Sequence, residues 1–215
     1  MRPSLLGRQQ RSFLHTLTSR IRPGTIYYHP HPSPQEPQRY AVSFLSDPST
    51  YADSATNLGF IPLVNTAPLS ARAVSAPSES FPSSEQEQSL LRKFEQNPEW
   101  MKFVHFVLQQ TVFQSHWLQQ IAQARKNTSD SDQGGYVHII DQRNIPPANR
   151  VGDPDDIIAS VLVKNGALVP DTYEPGQTYR VYTSSNGFMT LPPELHDILL
   201  QSLKLARQIE QGNST

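Results

Sequence analysis

Hydrophobic and polar positions recur along this chain with two different periods, and the change from one to the other marks its elements. Tyr40-Ala41-Val42-Ser43-Phe44-Leu45 and Leu58-Gly59-Phe60-Ile61-Pro62-Leu63-Val64 read as two short strands joined by a turn-rich segment from Asp47 to Asn57. Pro62 has no ladder hydrogen bond to donate, which predicts an edge position for the second strand. From Asn97 to about Lys126 the spacing turns helical, with Asn97 as cap, Pro98 at the first helical position and Glu99 behind it. Trp100, Phe103, Val104, Val107, Leu108, Val112, Phe113, Trp117, Leu118 and Ile121 give this helix a wide apolar face, and glutamines fill much of the remainder. A shorter helix, Gln86 to Gln96, is expected before it.

Beyond the turn-forming run Asn127 to Gly135, Tyr136-Val137-His138-Ile139-Ile140 is rich in β-branched residues and predicts a strand. Asp141 to Gly152 holds too many Pro, Asn and Arg residues for regular structure. Ser160-Val161-Leu162-Val163 resumes the sheet and returns through Lys164-Asn165-Gly166 to Ala167-Leu168-Val169, an Asn-Gly hairpin. A second hairpin pairs Tyr179-Arg180-Val181-Tyr182-Thr183 with Phe188-Met189-Thr190-Leu191 across Ser185-Asn186-Gly187. Pro192-Pro193-Glu194 starts a final helix to about Gln211, with Leu195, Ile198, Leu199, Leu203, Leu205, Ala206 and Ile209 on its apolar side. The sum is an α+β fold: an antiparallel sheet packed against two principal helices, with a disordered leader and a Ser/Pro-rich linker.

Charge adds a destination. The first 35 residues carry Arg2, Arg8, Arg11, Arg20 and Arg22 and no acidic residue, in a chain of formal charge -1. On a helix, Leu6, Phe13, Leu14, Leu17 and Ile21 fall on one side with Arg8, Arg11 and Arg22 opposite, the amphipathic cationic pattern of a mitochondrial presequence. Such a helix is recognised by the import machinery and drawn inward by the membrane potential. The competing reading is a basic tail that binds anionic surfaces. The organisation expected is therefore 1–35 as transit peptide, 36–65 as N-terminal strands, 66–88 as a disordered linker, and 89–211 as an α+β domain packing with 36–65. No run approaches the ~20 consecutive apolar residues of a membrane span. Without cysteine the chain has no disulfide, thiolate metal site or cysteine nucleophile, and the matrix is the expected compartment.

Candidate chemistry is sparse. Asp141, Arg143, Asn144 and Arg150 lie in the irregular loop leaving a strand, where two guanidiniums can hold a phosphate or carboxylate while Asp141 orients one of them or acts as a base. The favoured reading, however, is that Asp141 and Arg143 tie down a long loop whose backbone would otherwise be unpaired. Asp153-Pro154-Asp155-Asp156 is better read as a helix start, with Asp153 as cap, than as a cation site. His105 and His116 share one face of the long helix, about 16 Å apart, too far to share a metal. His29-Pro30-His31 is expected outside the fold, and His138 and His196 as packing or surface residues. No Gly-x-Ser-x-Gly elbow, Walker or Rossmann glycine pattern occurs, so no catalytic residue, cofactor or metal is assigned. Loss of the leader arginines leaves an acidic remainder, unsuited to nucleic acid.

The block Gly135-Tyr136-Val137-His138-Ile139-Ile140-Asp141-Gln142-Arg143-Asn144-Ile145-Pro146-Pro147, with Arg150-Val151 and Pro154-Asp155-Asp156-Ile157, resembles a family of uncharacterised fungal mitochondrial proteins. The resemblance continues through Thr172-Tyr173-Glu174-Pro175, Tyr179-Arg180-Val181 and the closing helix, with Tyr40 to Pro62 as a fainter block. It implies mitochondrial residence and brings no catalytic residue with it. The function expected is a non-catalytic interaction protein, an accessory subunit or assembly factor of a mitochondrial complex, with Trp100, Phe103, Phe106, Phe113 and Trp117 as partner contacts. The alternative is a small enzyme or anionic-ligand-binding module built on the Asp141–Arg150 loop.

Overall fold

The computed structural model describes residues 16–22, 25–31, 39–51, 53–62, 79–80, 83–128, 135–147, 150 and 152–212. The first sheet uses β1 (Leu17–Thr18), β2 (Tyr27–Pro30), β3 (Arg39–Ser43), β4 (Gly59–Pro62), β5 (Glu79–Ser80) and, after helix α1 (Ser84–Leu91), β6 (Glu95–Gln96). Its order is β5-β1-β2-β3-β4-β6, antiparallel except for the β1/β5 pair. Strand β3 sits centrally, and Tyr40, Ala41, Val42 and Ser43 are all buried. Strand β4 is not the edge strand that Pro62 predicts, since β6 pairs on its outer side; among the described residues that pairing covers Gly59 and Phe60 alone and stops short of the proline.

Helices α2 (Pro98–Thr111) and α3 (His116–Thr128) follow, then β7 (Gly135–Ile140), β8 (Ile157–Lys164), β9 (Ala167–Leu168) and β10 (Glu174–Pro175), which form the second antiparallel sheet. A hairpin, β11 (Tyr182–Thr183) with β12 (Gly187–Phe188), and helix α4 (Pro193–Gly212) complete the chain. The β8/β9 turn has Asn165 at φ 53° and Gly166 at φ 77°, the paired positive angles that an Asn-Gly hairpin requires. Helix α2 packs on α4, while α3 contacts β7 and β9, and one hydrophobic core runs through both sheets. Trp100 is fully buried in it, with Phe44 edge-on at 5.6 Å.

Several expectations need correcting. Within the expected leader, Leu17–Thr18 and Tyr27–Pro30 are strands: Ile26 and Tyr28 are fully buried, and Tyr28 stands opposite Val42. The β-forming run Ile26-Tyr27-Tyr28 gains a partner in β3, and Leu17, expected on the amphipathic helix, pairs with Tyr28 as strand instead. Positions 1–15 lie outside the described residues. His29, expected outside the fold, is buried, bonded through Nε2 to the Leu45 carbonyl (2.8 Å) and through Nδ1 to the Thr16 hydroxyl (3.1 Å). Residues 84–88 of the expected linker are helical, because Ser83 caps the backbone N–H of Gln86 at 3.2 Å. That helix starts before Gln86 and stops at Leu91, not Gln96. Most of the remaining linker, 66–78 and 81–82, lies outside the described residues.

The single long helix is two. Asn97 caps Glu99 as expected, but after Thr111 the chain tightens through Val112–Gln114 and Ser115 turns extended. Glu194, in the first turn of α4, accepts from the Ser115 hydroxyl (2.8 Å), the His116 N–H (3.0 Å) and the Trp117 N–H (3.2 Å), satisfying donors that a new helix start leaves open. His105 and His116 consequently sit on different helices. On α4 the buried stripe is Leu195, Leu199, Leu203 and Arg207, so Leu205 and Ile209 turn outward rather than into the core.

Candidate functional site

The loop after β7 is organised around Asp141, which is fully buried. A β-bulge at Ile139/Ile140 ends the ladder, and the Asp141 N–H bonds the Asp156 carbonyl at 2.9 Å. Its Oδ1 accepts from the N–H groups of Arg143 (2.9 Å) and Thr190 (3.0 Å), and Oδ2 accepts from the Tyr179 hydroxyl at 2.5 Å. The Arg143 Nε lies 2.9 Å from Oδ2 but off a hydrogen-bonding line, so the two charges touch without a formed bond. Burial, and then the neighbouring Asp141, push the Tyr179 phenol well above its ordinary range, keeping it a neutral donor.

Arg143 reaches on to the chain that follows. Its Nη1 donates to the carbonyls of Gly187 (2.6 Å) and Val181 (3.4 Å), and Nη2 to that of Arg180 (2.8 Å). Together with Gln96, whose Oε1 accepts from the Val181 N–H at 3.1 Å, it occupies backbone groups that a longer β11 would have paired. Hence the expected strand Tyr179–Thr183 shrinks to two residues. Asn144 donates to the Asp156 carboxylate at 2.8 Å. Asp156 is buried, while Asp153, expected as a side-chain cap, makes no capping bond to the 3-10 turn Pro154–Asp156. Arg150 stands apart, exposed at the rim of a cleft of about 270 Å³ shared with Trp117, Ile121, His138 and Ile145.

The five aromatic positions on α2, the 3-10 turn and α3 divide. Trp100 is buried, Phe103, Phe113 and Trp117 pack partly buried against the core, and Phe106 is 63% exposed. Sequence reasoning missed two further buried charges. Glu87 on α1 is fully buried, with no cation paired to it among the described residues: it accepts from the Ser19 hydroxyl (2.5 Å), the Tyr28 hydroxyl (2.7 Å) and the N–H groups of Arg20 (2.8 Å) and Ile21 (3.2 Å). Arg207 donates to the Thr56 hydroxyl (2.5 Å), to Ser43 and to the Asp47 carbonyl, binding the end of α4 to the loop after β3. Neither had a local signal, since Glu87 sits among exposed glutamates and glutamines and Arg207 at an i+4 step from Leu203.

No family model, curated protein or solved structure matches this chain. Among the described residues there is no group of three or more metal-binding side chains, and no helix is long and apolar enough to cross a membrane.

Proposed function

We propose that this protein is a non-catalytic interaction protein that works in mitochondria as an accessory subunit or assembly factor. The observation that carries the reading is the outward face of α4. Leu205 and Ile209, one turn apart and thus neighbours, are 58% and 57% exposed, while the opposite face of the same helix is fully engaged with the core. Phe106 adds an exposed aromatic on α2, the helix against which α4 packs. Exposed apolar side chains grouped on helices are what a partner covers. The buried loop supports the same reading from another side: the Asp141 carboxylate and the Arg143 Nη groups serve the fold.

The mitochondrial part rests on the acid-free, arginine-bearing start of the chain and on the resemblance to fungal mitochondrial proteins. Because Leu17–Thr18 pair with β2 and Thr16 bonds His29, a removable presequence compatible with those contacts ends before Thr16. A second reading keeps Arg150 as an anion-holding residue at the mouth of its cleft.

The test is the native size of the tagged full-length protein in gently solubilised mitochondria, with mass spectrometry of what comigrates. Comigration with a defined complex, lost in Leu205→Ser/Ile209→Ser, is the expected result. A monomer or small homo-oligomer in the organelle, or a cytosolic protein, removes the proposal.

A further inference from the structure

A second cavity, of about 400 Å³, is lined in part by Arg143 and lies between the 19–22 segment, α1 and the β11/β12 hairpin. Three stretches far apart in sequence close it, and Arg143 reaches it from a fourth. Ile21, Leu91, Tyr182 and Phe188 give it apolar walls, and the exposed turn Ser184-Ser185-Asn186 forms a polar rim. Two guanidiniums, Arg22 and Arg143, stand in its lining.

Their engagement differs. The Arg143 Nη groups are committed to hairpin carbonyls, and its charge contacts Asp141. Arg22 bonds the carbonyls of Phe188 (3.2 Å) and Met189 (3.1 Å) through Nη1 alone, and its Nε and Nη2 have no acceptor among the described residues. Half-burial lowers the Arg22 pKa, and repulsion from Arg143 adds to the effect against the attraction of Asp141. An arginine held half-dry beside a second one, with two N–H-bearing nitrogens uncommitted, is a site for an oxyanion that takes paired hydrogen bonds.

Glu87 limits the charge of that anion. It too lines the cavity, and its four donors among the described residues, two hydroxyls and two backbone N–H groups, hold it in place while adding no positive charge. A doubly charged group would meet its field, whereas a single carboxylate gains from Arg22 and tolerates Glu87. The apolar walls supply a place for the rest of the molecule. We propose that this cavity binds an organic acid, a monocarboxylate on an apolar body, with Arg22 as the anchoring residue and Arg143 as a positioning residue that holds the hairpin wall.

Unlike the proposed interaction role, this inference rests on the cavity alone, and either can fail without the other. The full chain is titrated calorimetrically with octanoate, octanol, octylammonium and octyl phosphate. Octanoate is expected to bind one site with Kd on the order of 0.1–1 mM, as ligand efficiencies allow for a molecule of this size. Arg22→Gln should weaken it at least about tenfold, the loss of a charge-assisted pair. Ile21→Trp, which fills the cavity from a half-exposed position and leaves the Arg22 bonds in place, should abolish binding with little change in melting temperature. That second variant decides the matter if Arg22→Gln does not fold. No saturation by about 10 mM octanoate, far above the expected Kd, overturns the proposal. So does binding unchanged in Ile21→Trp, or octanol or octylammonium binding as well as octanoate. Octyl phosphate binding more tightly than octanoate overturns the assignment of a monocarboxylate.

Discussion

The Tyr179 hydroxyl donates to Oδ2 of Asp141 at 2.5 Å, joining a loop that follows β7 to a segment 38 residues later, with both side chains buried. The same carboxylate takes the Thr190 N–H, so three stretches of chain meet on one acceptor group.

Removing one partner from this cluster leaves the others dry and unpaired. Asp141→Ala is expected to cost about 3–5 kcal/mol in urea unfolding, the range for breaking a buried charge pair. Tyr179→Phe should cost about 1–3 kcal/mol, and the double variant should show coupling rather than additivity. Additive effects under about 0.5 kcal/mol would show that the cluster does not hold the loop.

Arg207 ties the last turns of α4 to the segment between β3 and β4. Arg207→Met keeps the apolar stem and removes every donor, leaving Thr56 and the Asp47 carbonyl short of partners. Expected are a loss of about 1–3 kcal/mol and faster hydrogen exchange in residues 44–57 before any change in the second sheet. Uniform acceleration across the molecule would contradict that local role.

Stability should rise with pH in two steps. Burial lowers the pKa values of His29, His105 and His196, so the unfolded chain takes up their protons first. Their contribution is fully present above about pH 6.5, the unfolded histidine value, and declines as pH falls through the lower folded values. Glu194 is held below the usual carboxylate range by the Ser115 hydroxyl and the His116 and Trp117 N–H groups. Its contribution is present above about pH 4.3 and lost below. Because Glu194 is largely solvated, Glu194→Gln should cost only about 0.3–1 kcal/mol at neutral pH and flatten the acid limb of the stability curve. Urea midpoints from pH 3 to 8 read both steps; an unchanged acid limb in Glu194→Gln would refute the capping role.

The aromatics of α2 should separate by burial. Trp100→Ala opens a cavity in the core and is expected to cost about 3–5 kcal/mol. Phe106→Ser, at a position 63% exposed, should stay within about 0.5 kcal/mol of the parent while lowering the yield of the comigrating complex. A large stability loss for Phe106→Ser would assign that ring to the fold instead of to a partner.

Of the candidate loop, the sequence disclosed that Asp141, Arg143 and Asn144 were polar residues placed after a strand. It could not disclose their partners, because Tyr179, Gly187, Thr190 and Asp156 reach them only through the return of the second sheet and hairpin. Arg22, the anchor of the second cavity, was hidden by composition: among leader-like arginines it looked like a targeting charge, yet it bonds a hairpin 166 residues later.

What the sequence alone determined is what neighbouring residues decide. The Asn97-Pro98 helix start, the Asn165-Gly166 turn, the strands Tyr136 to Ile140 and Tyr40 to Ser43, and the closing helix all follow from local φ preferences, capping and side-chain period. Tertiary structure decided everything that needs a distant partner. Glu194 ends one helix and starts another by satisfying its first donors, β3 converts leader-like residues into β2, and Arg207 replaces an expected apolar contact at the end of the α4 stripe. Hydrogen-bonding groups buried by the fold must find partners wherever the chain returns, and no local pattern records where that will be.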